Sequence, residues 1–218
     1  MLEQVLQSIA STLESMGKDI NSYNLVDFKV TFDEDQMGSR EIHDELKISI
    51  SDEDLLAAES LNAKQKYAYE RILEKVFSNT PRVFFIDGLG GIGKTFLYRA
   101  LLATIESKHL VALATASSGM AASILPGGQT THSRFKIPLV VKNSITCCVS
   151  KQSGQAKLFQ ASKLIIWDEA PMSRKKTIEA LDKMLQDINE SELPFGGKVV
   201  VFEGDFRQVL PVVPKASR

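Results

Sequence analysis

The sequence predicts an α/β fold in which a parallel β-sheet is flanked by helices. Short apolar runs of strand length alternate with amphipathic segments of helix length, a pattern that is typical of parallel sheets. The first of these runs passes directly into a glycine-rich turn and then into a helical pattern. With 218 residues, of which 44% are hydrophobic and 24% charged, the chain has enough apolar material for a substantial core.

Four apolar runs are predicted strands, at residues 83–87, 110–115, 163–168 and 198–203. Their near-continuous apolar character suits parallel strands that are buried on both faces. Helices are predicted around them from apolar residues at three- and four-residue spacing, near 63–78, 96–105 and 173–188, with a shorter helix ending near 125. The chain before residue 61 is predicted to be a separate leader, with an amphipathic helix at 2–16 and a mobile linker at 33–59 that holds one short helix near 52–58.

The glycine-rich turn fits the pattern G-x-x-x-x-G-K-[ST] and predicts a phosphate-binding loop. Glycines allow backbone N–H groups to close around a phosphate where side chains would block the approach, and they stand at Gly88, Gly90, Gly91 and Gly93. The Lys94 ammonium is expected to reach the β- and γ-phosphates, and the Thr95 hydroxyl to hold Mg²⁺. This motif predicts a bound nucleoside triphosphate.

Two adjacent carboxylates follow the third predicted strand. Asp168 is expected to hold Mg²⁺, and Glu169 to act as the general base that activates the attacking water. A signalling GTPase normally has D-x-x-G at this position, and this chain has neither that turn nor the [NT]-K-x-D guanine signature. Gln208, just after the fourth strand, is the candidate sensor of the γ-phosphate.

Gln65 lies in the first turn of the helix that feeds the first strand, with Asn62 as a good N-cap. A side-chain amide at that point offers a paired donor and acceptor that suit the edge of adenine. A glutamine exposed on the helix surface is the alternative.

Charge is distributed unevenly along the chain. Residues 1–60 carry a net charge of −10 and residues 61–218 a net charge of +9, and residues 107–167 contain no Asp or Glu. Within this acid-free run, residues 130–135 combine hydroxyls, cations and one aromatic ring, which suits a groove for single-stranded nucleic acid. The alternative is a solvated basic loop, and His132 alone is more typical of a structural hydrogen bonder than of a catalyst.

Other classes of protein are disfavoured by composition. There is no apolar run of about 18 residues, so no membrane span or membrane partner is expected. The two cysteines are adjacent, at Cys147 and Cys148, which excludes a disulfide framework and metal-ligand spacing. We therefore expect a reducing compartment.

Six ordered motifs resemble those of the Pif family of superfamily-one DNA helicases, and most closely the plant Helitron-type members: LNAKQ, GLGGIGKT, TASSGMAA, THSRF, IIWDEAPM and GDFRQVLPV. The resemblance covers residues 61–218. It implies the first RecA-like ATPase domain of an enzyme that couples ATP hydrolysis to 5′-to-3′ unwinding in DNA repair, recombination and telomere maintenance. It also implies a nuclear location, with the mitochondrion as an alternative, and the strand order 110–115, 163–168, 198–203, 83–87.

The resemblance implies roles for particular residues. Gln65 reads adenine, Lys94 and Thr95 bind ATP and Mg²⁺, and Gln208 contacts the γ-phosphate. Two segments would line the path of single-stranded DNA, and the candidate DNA contacts in them are Thr115, Ser117, Ser118, His132, Arg134, Phe135 and Lys136.

The chain departs from the family pattern in two ways. Glu203 stands where the family usually has glycine, and an anion there is expected to repel nucleotide or distort the turn. The second RecA-like domain, whose arginines would complete the ATP site, does not follow in this sequence. A truncated module that binds ATP and single strands, or an inactive mobile-element remnant, is therefore an alternative to an active helicase.

Overall fold

The computed structural model describes residues 34–48, 51–88, 93–138, 147 and 149–205. The predicted helix at 2–16 lies outside these ranges, and so do Gly90, Gly91, Cys148 and Gln208.

A five-stranded parallel sheet forms the centre of the fold. Its strands are β1 (Arg82–Asp87), β2 (Val111–Ala116), β3 (Gln129–Thr130), β4 (Ser162–Asp168) and β5 (Val199–Gly204). They are arranged in the order β1-β5-β4-β2-β3, with every neighbouring pair parallel. The four predicted strands and their implied order are confirmed, and the two-residue β3 is an additional strand at one edge.

Eight α-helices surround this sheet in the described part of the chain: α1 (Glu34–Leu46), α2 (Asp52–Ala57), α3 (Ala63–Phe77), α4 (Lys94–Glu106), α5 (Gly119–Ser123), α6 (Thr131–Arg134), α7 (Gly154–Ala161) and α8 (Lys175–Ile188). Short 3₁₀ turns lie at Ala58–Ser60, Ala170–Met172 and Pro194–Gly197. Among the described residues, none of the helices has the length and apolar character that a membrane span needs.

Two hydrophobic cores lie on opposite faces of the sheet. Alternate residues of β4 point to opposite sides: Trp167 packs with α7 and α8, whereas Ile166 packs with α3 and α4. Both residues are fully buried, as expected for an inner parallel strand. At one edge of the sheet, β1 leaves Val83 and Phe85 exposed.

The prediction of a mobile linker at 33–59 is wrong for the described residues, although the short helix near 52–58 is confirmed as α2. The chain instead forms α1, whose Glu45 carboxylate pairs with the guanidinium of Arg134 at 2.6 Å. Ile42 of α1 packs against the core, and the side chain of Ile48 lies against Gly127. The acidic composition concealed this docking because one of the anchoring contacts is an ion pair rather than an apolar stripe.

Glu106, the last residue of α4, is a carboxyl group in an unfavourable position. Neither of its oxygens has a hydrogen-bond partner among the described residues, and it lies at the helix end where the dipole disfavours negative charge. Burial, reinforced by the charges of Glu45 and Asp54, raises the pKa of Glu106 to about 7. Ionisation of this group therefore opposes folding.

The substitution Glu106→Gln should stabilise the protein more at pH 8.5 than at pH 5. The folded-state pKa of Glu106 is about 7 and lies above its unfolded-state pKa. Folded stability is therefore highest below the unfolded-state pKa and falls as pH rises through about 7, because ionised Glu106 is better solvated in the unfolded chain. After a discount for solvent screening, we expect a gain of about 1 kcal/mol at the higher pH. Urea unfolding at both pH values measures it. The exposed control Glu59→Gln should change stability equally at both, and equal gains from Glu106→Gln would contradict the assignment.

Loss of the α1 anchor should destabilise the fold strongly. The substitution Glu45→Ala removes both carboxylate contacts of the buried Arg134 guanidinium, which keeps the Gly127 carbonyl as an acceptor. We expect a loss of about 3 kcal/mol in the free energy of unfolding.

The matched control is Asp44→Ala on the same helix, which removes an exposed partner of Arg40 and should cost less than about 1 kcal/mol. Chemical denaturation of the two variants measures the difference. Equal unfolding midpoints would show that the Glu45 contact does not anchor α1.

Candidate functional site

The carboxyl ends of the strands bring the predicted motifs to one edge of the sheet. The last residue of β1, Asp87, is level with Gly204 at the end of β5, and Asp168 at the end of β4 is level with Ala116 of β2. The glycine-rich loop follows β1 directly, and Glu169 follows β4. Parallel pairing therefore places the loop and the carboxylates together, although more than 70 residues separate Lys94 from Asp168 in the sequence.

The loop is joined to α3 through Gln65. The side-chain amide nitrogen of Gln65 donates to the Gly93 carbonyl at 3.0 Å, and its oxygen accepts from the Asn62 amide at 2.9 Å in a capping box. Gly93 has φ +81°, where an L side chain would be strained, and a Cβ there would displace the Gln65 nitrogen that lies 2.6 Å away. The predicted N-cap is confirmed, and the amide of Gln65 lies beside the loop. Its contact with adenine stays a prediction.

Lys94 begins α4, and its side chain returns across the loop. Its ammonium donates to the Gly88 carbonyl at 2.7 Å and pairs with the Glu203 carboxylate at 3.0 Å. Both charged side chains are largely shielded from solvent. Glu203 is expected from the sequence to repel the nucleotide. In the structure its carboxylate binds Lys94, the residue that is predicted to hold phosphate.

The carboxylates at the ends of β4 and β5 share hydrogen bonds. The Glu169 amide donates to Asp168 Oδ1 at 3.0 Å and to Glu203 Oε2 at 3.1 Å. Burial, followed by the hydrogen bond and the charge of Glu203, raises the pKa of Asp168 to about 8. Burial also opposes ionisation of Glu203, but the hydrogen bonds from Asp168, the Glu169 amide and Lys94 outweigh it and lower the pKa of Glu203. Burial and the neighbouring carboxylate therefore disfavour the ionised form of Asp168, whereas Lys94 and the Glu169 amide favour the ionised form of Glu203.

Glu169 follows β4 directly and has an unusual backbone conformation. Its backbone lies in the left-handed region at φ 55° and ψ 35°, and its carbonyl accepts from the Ser117 hydroxyl at 2.8 Å. Its Oε2 atom is buried without a hydrogen-bond partner among the described residues. The role of Glu169 as the general base stays a prediction.

The predicted Mg²⁺ ligands fit that ion by the chemistry of their donor atoms. Mg²⁺ prefers oxygen ligands and is usually held by one or two carboxylates together with phosphate oxygens and water. Thr95 and Asp168 supply a hydroxyl and a carboxyl group beside the phosphate loop. The described residues contain no cluster of three or more His, Cys, Asp or Glu side chains that would hold a metal alone. This donor set suits an ion that arrives together with a nucleotide.

Three of the seven predicted DNA contacts are wrong. Thr115 is completely buried and donates its hydroxyl to the Ile166 carbonyl. Phe135 is also completely buried, and its ring lies 5.4 Å from that of Phe159. Arg134 is only 2% exposed and is neutralised by Glu45. Side chains that are buried in the fold cannot contact a DNA strand, so these three residues have structural roles.

The other four predicted contacts lie nearer the surface. Ser117 and Ser118 are partly exposed, but Ser117 binds the Glu169 carbonyl, Ser173 and the Trp167 indole, and Ser118 caps α5. His132 and Lys136 are half-buried and remain candidates for DNA contact.

Sequence reasoning missed two strongly exposed methionines. Met120 is 82% exposed, and Met172 is 61% exposed. The hydrogen bond between Ser117 and Ser173 holds the two segments that carry them together. Because each methionine is not part of a regular apolar repeat, the sequence pattern did not predict its exposure.

Comparison with known proteins relates this site to a family. A model of the PIF1-like helicase family matches residues 60–218. The ATP-dependent DNA helicase PIF4 of Trypanosoma brucei brucei is 32% identical over 168 residues, which cover 74% of this chain and 20% of that relative. The ATP-dependent DNA helicase RRM3 of Saccharomyces cerevisiae is 32% identical over 152 residues, which cover 67% of this chain and 20% of that relative.

Solved structures show the same fold. Bacteroides Pif1 bound to single-stranded DNA matches with a TM-score of 0.55 at 30% identity, covering 71% of this chain and 34% of that one. The Pif1 helicase from Candida albicans matches with a TM-score of 0.56 at 26% identity, covering 70% of this chain and 34% of that one. The prediction of a RecA-like nucleotide-binding fold is confirmed.

The chain spans about a fifth of the length of these two relatives and about a third of these solved chains. The family match contains all five strands of the sheet and every residue of the nucleotide site described above. The chain therefore belongs to the PIF1-like helicase family.

Proposed function

We propose that the chain is the first RecA-like domain of an ATP-dependent DNA helicase and that Mg·ATP binds at the carboxyl edge of its sheet. The observation that carries this proposal is the convergence of Lys94, Asp168 and Glu169 at that edge. Family membership supports ATP as the nucleotide, since the two relatives named above are both called ATP-dependent DNA helicases.

The residues of this chain would divide the work of hydrolysis. Lys94 would neutralise the β- and γ-phosphates, and Thr95 and Asp168 would hold Mg²⁺, which supplies charge neutralisation and orients the phosphate oxygens. Glu169 would take a proton from the attacking water. The water oxygen would bond to the γ-phosphorus while the bond between that phosphorus and ADP breaks. Gln208 is proposed to contact the γ-phosphate.

The relatives are longer than this chain, and unwinding would need the closure of a second RecA-like domain on the nucleotide. Arginines from such a domain stabilise the transition state, and losing them costs about 10³- to 10⁵-fold in rate. We therefore propose translocation along single-stranded DNA in the 5′-to-3′ direction for the complete protein. Its place would be nuclear, with the mitochondrion as the alternative, in DNA repair, recombination and telomere maintenance.

Purified as given, the chain should bind Mg·ATP and show little or no strand separation. The substitution Lys94→Ala removes the cation that would bind phosphate, and we expect at least a tenfold loss of affinity. Titration with a fluorescent ATP analogue in the presence of Mg²⁺ measures it.

The control Lys108→Ala removes a cation that lies over the Phe77 ring, away from the loop, and should leave the affinity unchanged. Thermal unfolding checks that both variants fold. Equal affinities for all three proteins, or strong unwinding by the chain alone, would overturn this assignment.

Binding of single-stranded DNA should be salt-sensitive and should depend on surface cations. Lys136→Ala is expected to weaken the binding of an oligonucleotide severalfold and to reduce its salt dependence. Fluorescence anisotropy at several salt concentrations measures both quantities.

The exposed Lys183→Ala on α8 is the matched control and should leave the affinity unchanged. Phe135→Leu should lower stability without altering the affinity of the folded protein, because that ring is buried. A stronger effect from Phe135 than from Lys136 would show that the binding surface is wrongly placed.

A further inference from the structure

The ion pair between Lys94 and Glu203 concerns the same atoms that nucleotide binding would use. The Lys94 ammonium lies 3.0 Å from Glu203 Oε1, and it also donates to the Gly88 carbonyl within the phosphate loop. Glu203 comes from β5, so this contact joins the phosphate loop to the end of a neighbouring strand. A carboxylate thus lies where the lysine would meet a phosphate oxygen.

Contacts within the protein hold Glu203 in place. Its backbone pairs with Ile86 of β1 in the parallel ladder, and its side chain is almost completely buried. The second carboxylate oxygen accepts from the Glu169 amide at 3.1 Å. Because the sheet and this hydrogen bond already fix the side chain, little conformational entropy is lost when it binds Lys94.

A nucleotide phosphate and Glu203 make conflicting demands on the same cation. A phosphate oxygen that approaches Lys94 must replace the carboxylate or share the ammonium with it. Sharing would bring two anions together in a poorly solvated site, where like charges repel strongly. Replacement would leave the Glu203 carboxylate buried without its counter-ion, which is also costly. Either route subtracts from the free energy of nucleotide binding.

We propose that Glu203 is an internal competitor of the nucleotide phosphates for Lys94 and thereby sets the nucleotide affinity of this domain. The inference rests on the proposed function, because it assumes that the phosphate loop binds a nucleoside triphosphate. The competitor also neutralises Lys94 when no nucleotide is bound. Affinity is lowered while the loop keeps an ordered contact with the sheet.

The opposite role for Glu203 makes a distinct prediction. A third carboxyl group beside Asp168 would strengthen nucleotide binding if it served mainly as an additional ligand or water acceptor for Mg²⁺. Removal of its charge would then weaken the binding of Mg·ATP. The direction of the change in affinity separates the two roles.

The test uses the full 218-residue chain and a fluorescent ATP analogue with Mg²⁺ at fixed ionic strength. Glu203→Gln keeps the size of the side chain and removes its charge, and we expect about tenfold tighter binding. Glu203→Asp keeps the charge but withdraws it from Lys94 by one methylene, and should bind more tightly than the parent but less tightly than the glutamine variant. If Glu203 acted only by charge repulsion, the nucleotide affinity of the aspartate variant would instead be close to that of the parent.

The control Asp187→Asn removes the same charge from an exposed ion pair with Lys151, also 3.0 Å long, and should leave the affinity unchanged. Thermal unfolding shows which variants fold. Glu203→Gln distinguishes a competing Glu203 from a Mg²⁺ ligand, and Glu203→Asp distinguishes competition for Lys94 from simple charge repulsion. If the parent binds and Glu203→Gln binds equally or more weakly, the competition is refuted while nucleotide binding stands. If neither the parent nor any folded variant binds nucleotide, the proposed function itself fails.

Discussion

Parallel pairing of β4 with β5, buried on both faces, is the constraint on which the rest of the structure depends. Ile166 lies level with Val201, and Trp167 lies level with Phe202. Both faces of each strand enter a hydrophobic core, so a slip in register would move large side chains out of matched cavities on both sides. The same register fixes where Asp168 and Glu203 end their strands. Packing in the core therefore sets the geometry of the charged groups at the edge.

Among the described residues, three cations pair with a largely buried carboxylate. Lys94 pairs with Glu203, Arg134 pairs with Glu45, and the partly exposed Arg99 pairs with the buried Asp54. Such pairs add little net stability compared with apolar residues, but removal of one partner is costly. The phosphate loop, α1 and α2 are each attached to the fold in this way.

Sequence reasoning succeeded where a local pattern carries the physical cause. The strands near Ile166 and Val201 are continuous apolar runs, and Asn62 is followed by the glutamine that completes a capping box. Those signals depend only on near neighbours in sequence. The convergence of Lys94 with Asp168 was predictable as well, because strand ends in a parallel sheet meet at one edge.

Prediction failed where a residue's role depends on a partner distant in sequence. Arg134 and Phe135 lie in a basic, polar stretch that resembles a solvated surface, yet Glu45 neutralises one and an aromatic core encloses the other. The carboxylate that makes burial of Arg134 possible lies 89 residues away in sequence. The resemblance to the family motif could show that Glu203 is unusual at its position, but not that its carboxylate would bind Lys94.

The docking of α1 has a consequence for how this domain is divided into modules. The family match begins at residue 60, which would place a natural excision point just after α2. The partner of Arg134 lies before that point, so a chimaera joined there would inherit a guanidinium without its carboxylate. Transfer of the ATPase core between relatives would therefore have to carry α1 along, or replace Arg134 with an apolar residue at the same time. The segment that would have to be transferred as one piece therefore begins at α1 and is longer than the segment matched by the family model.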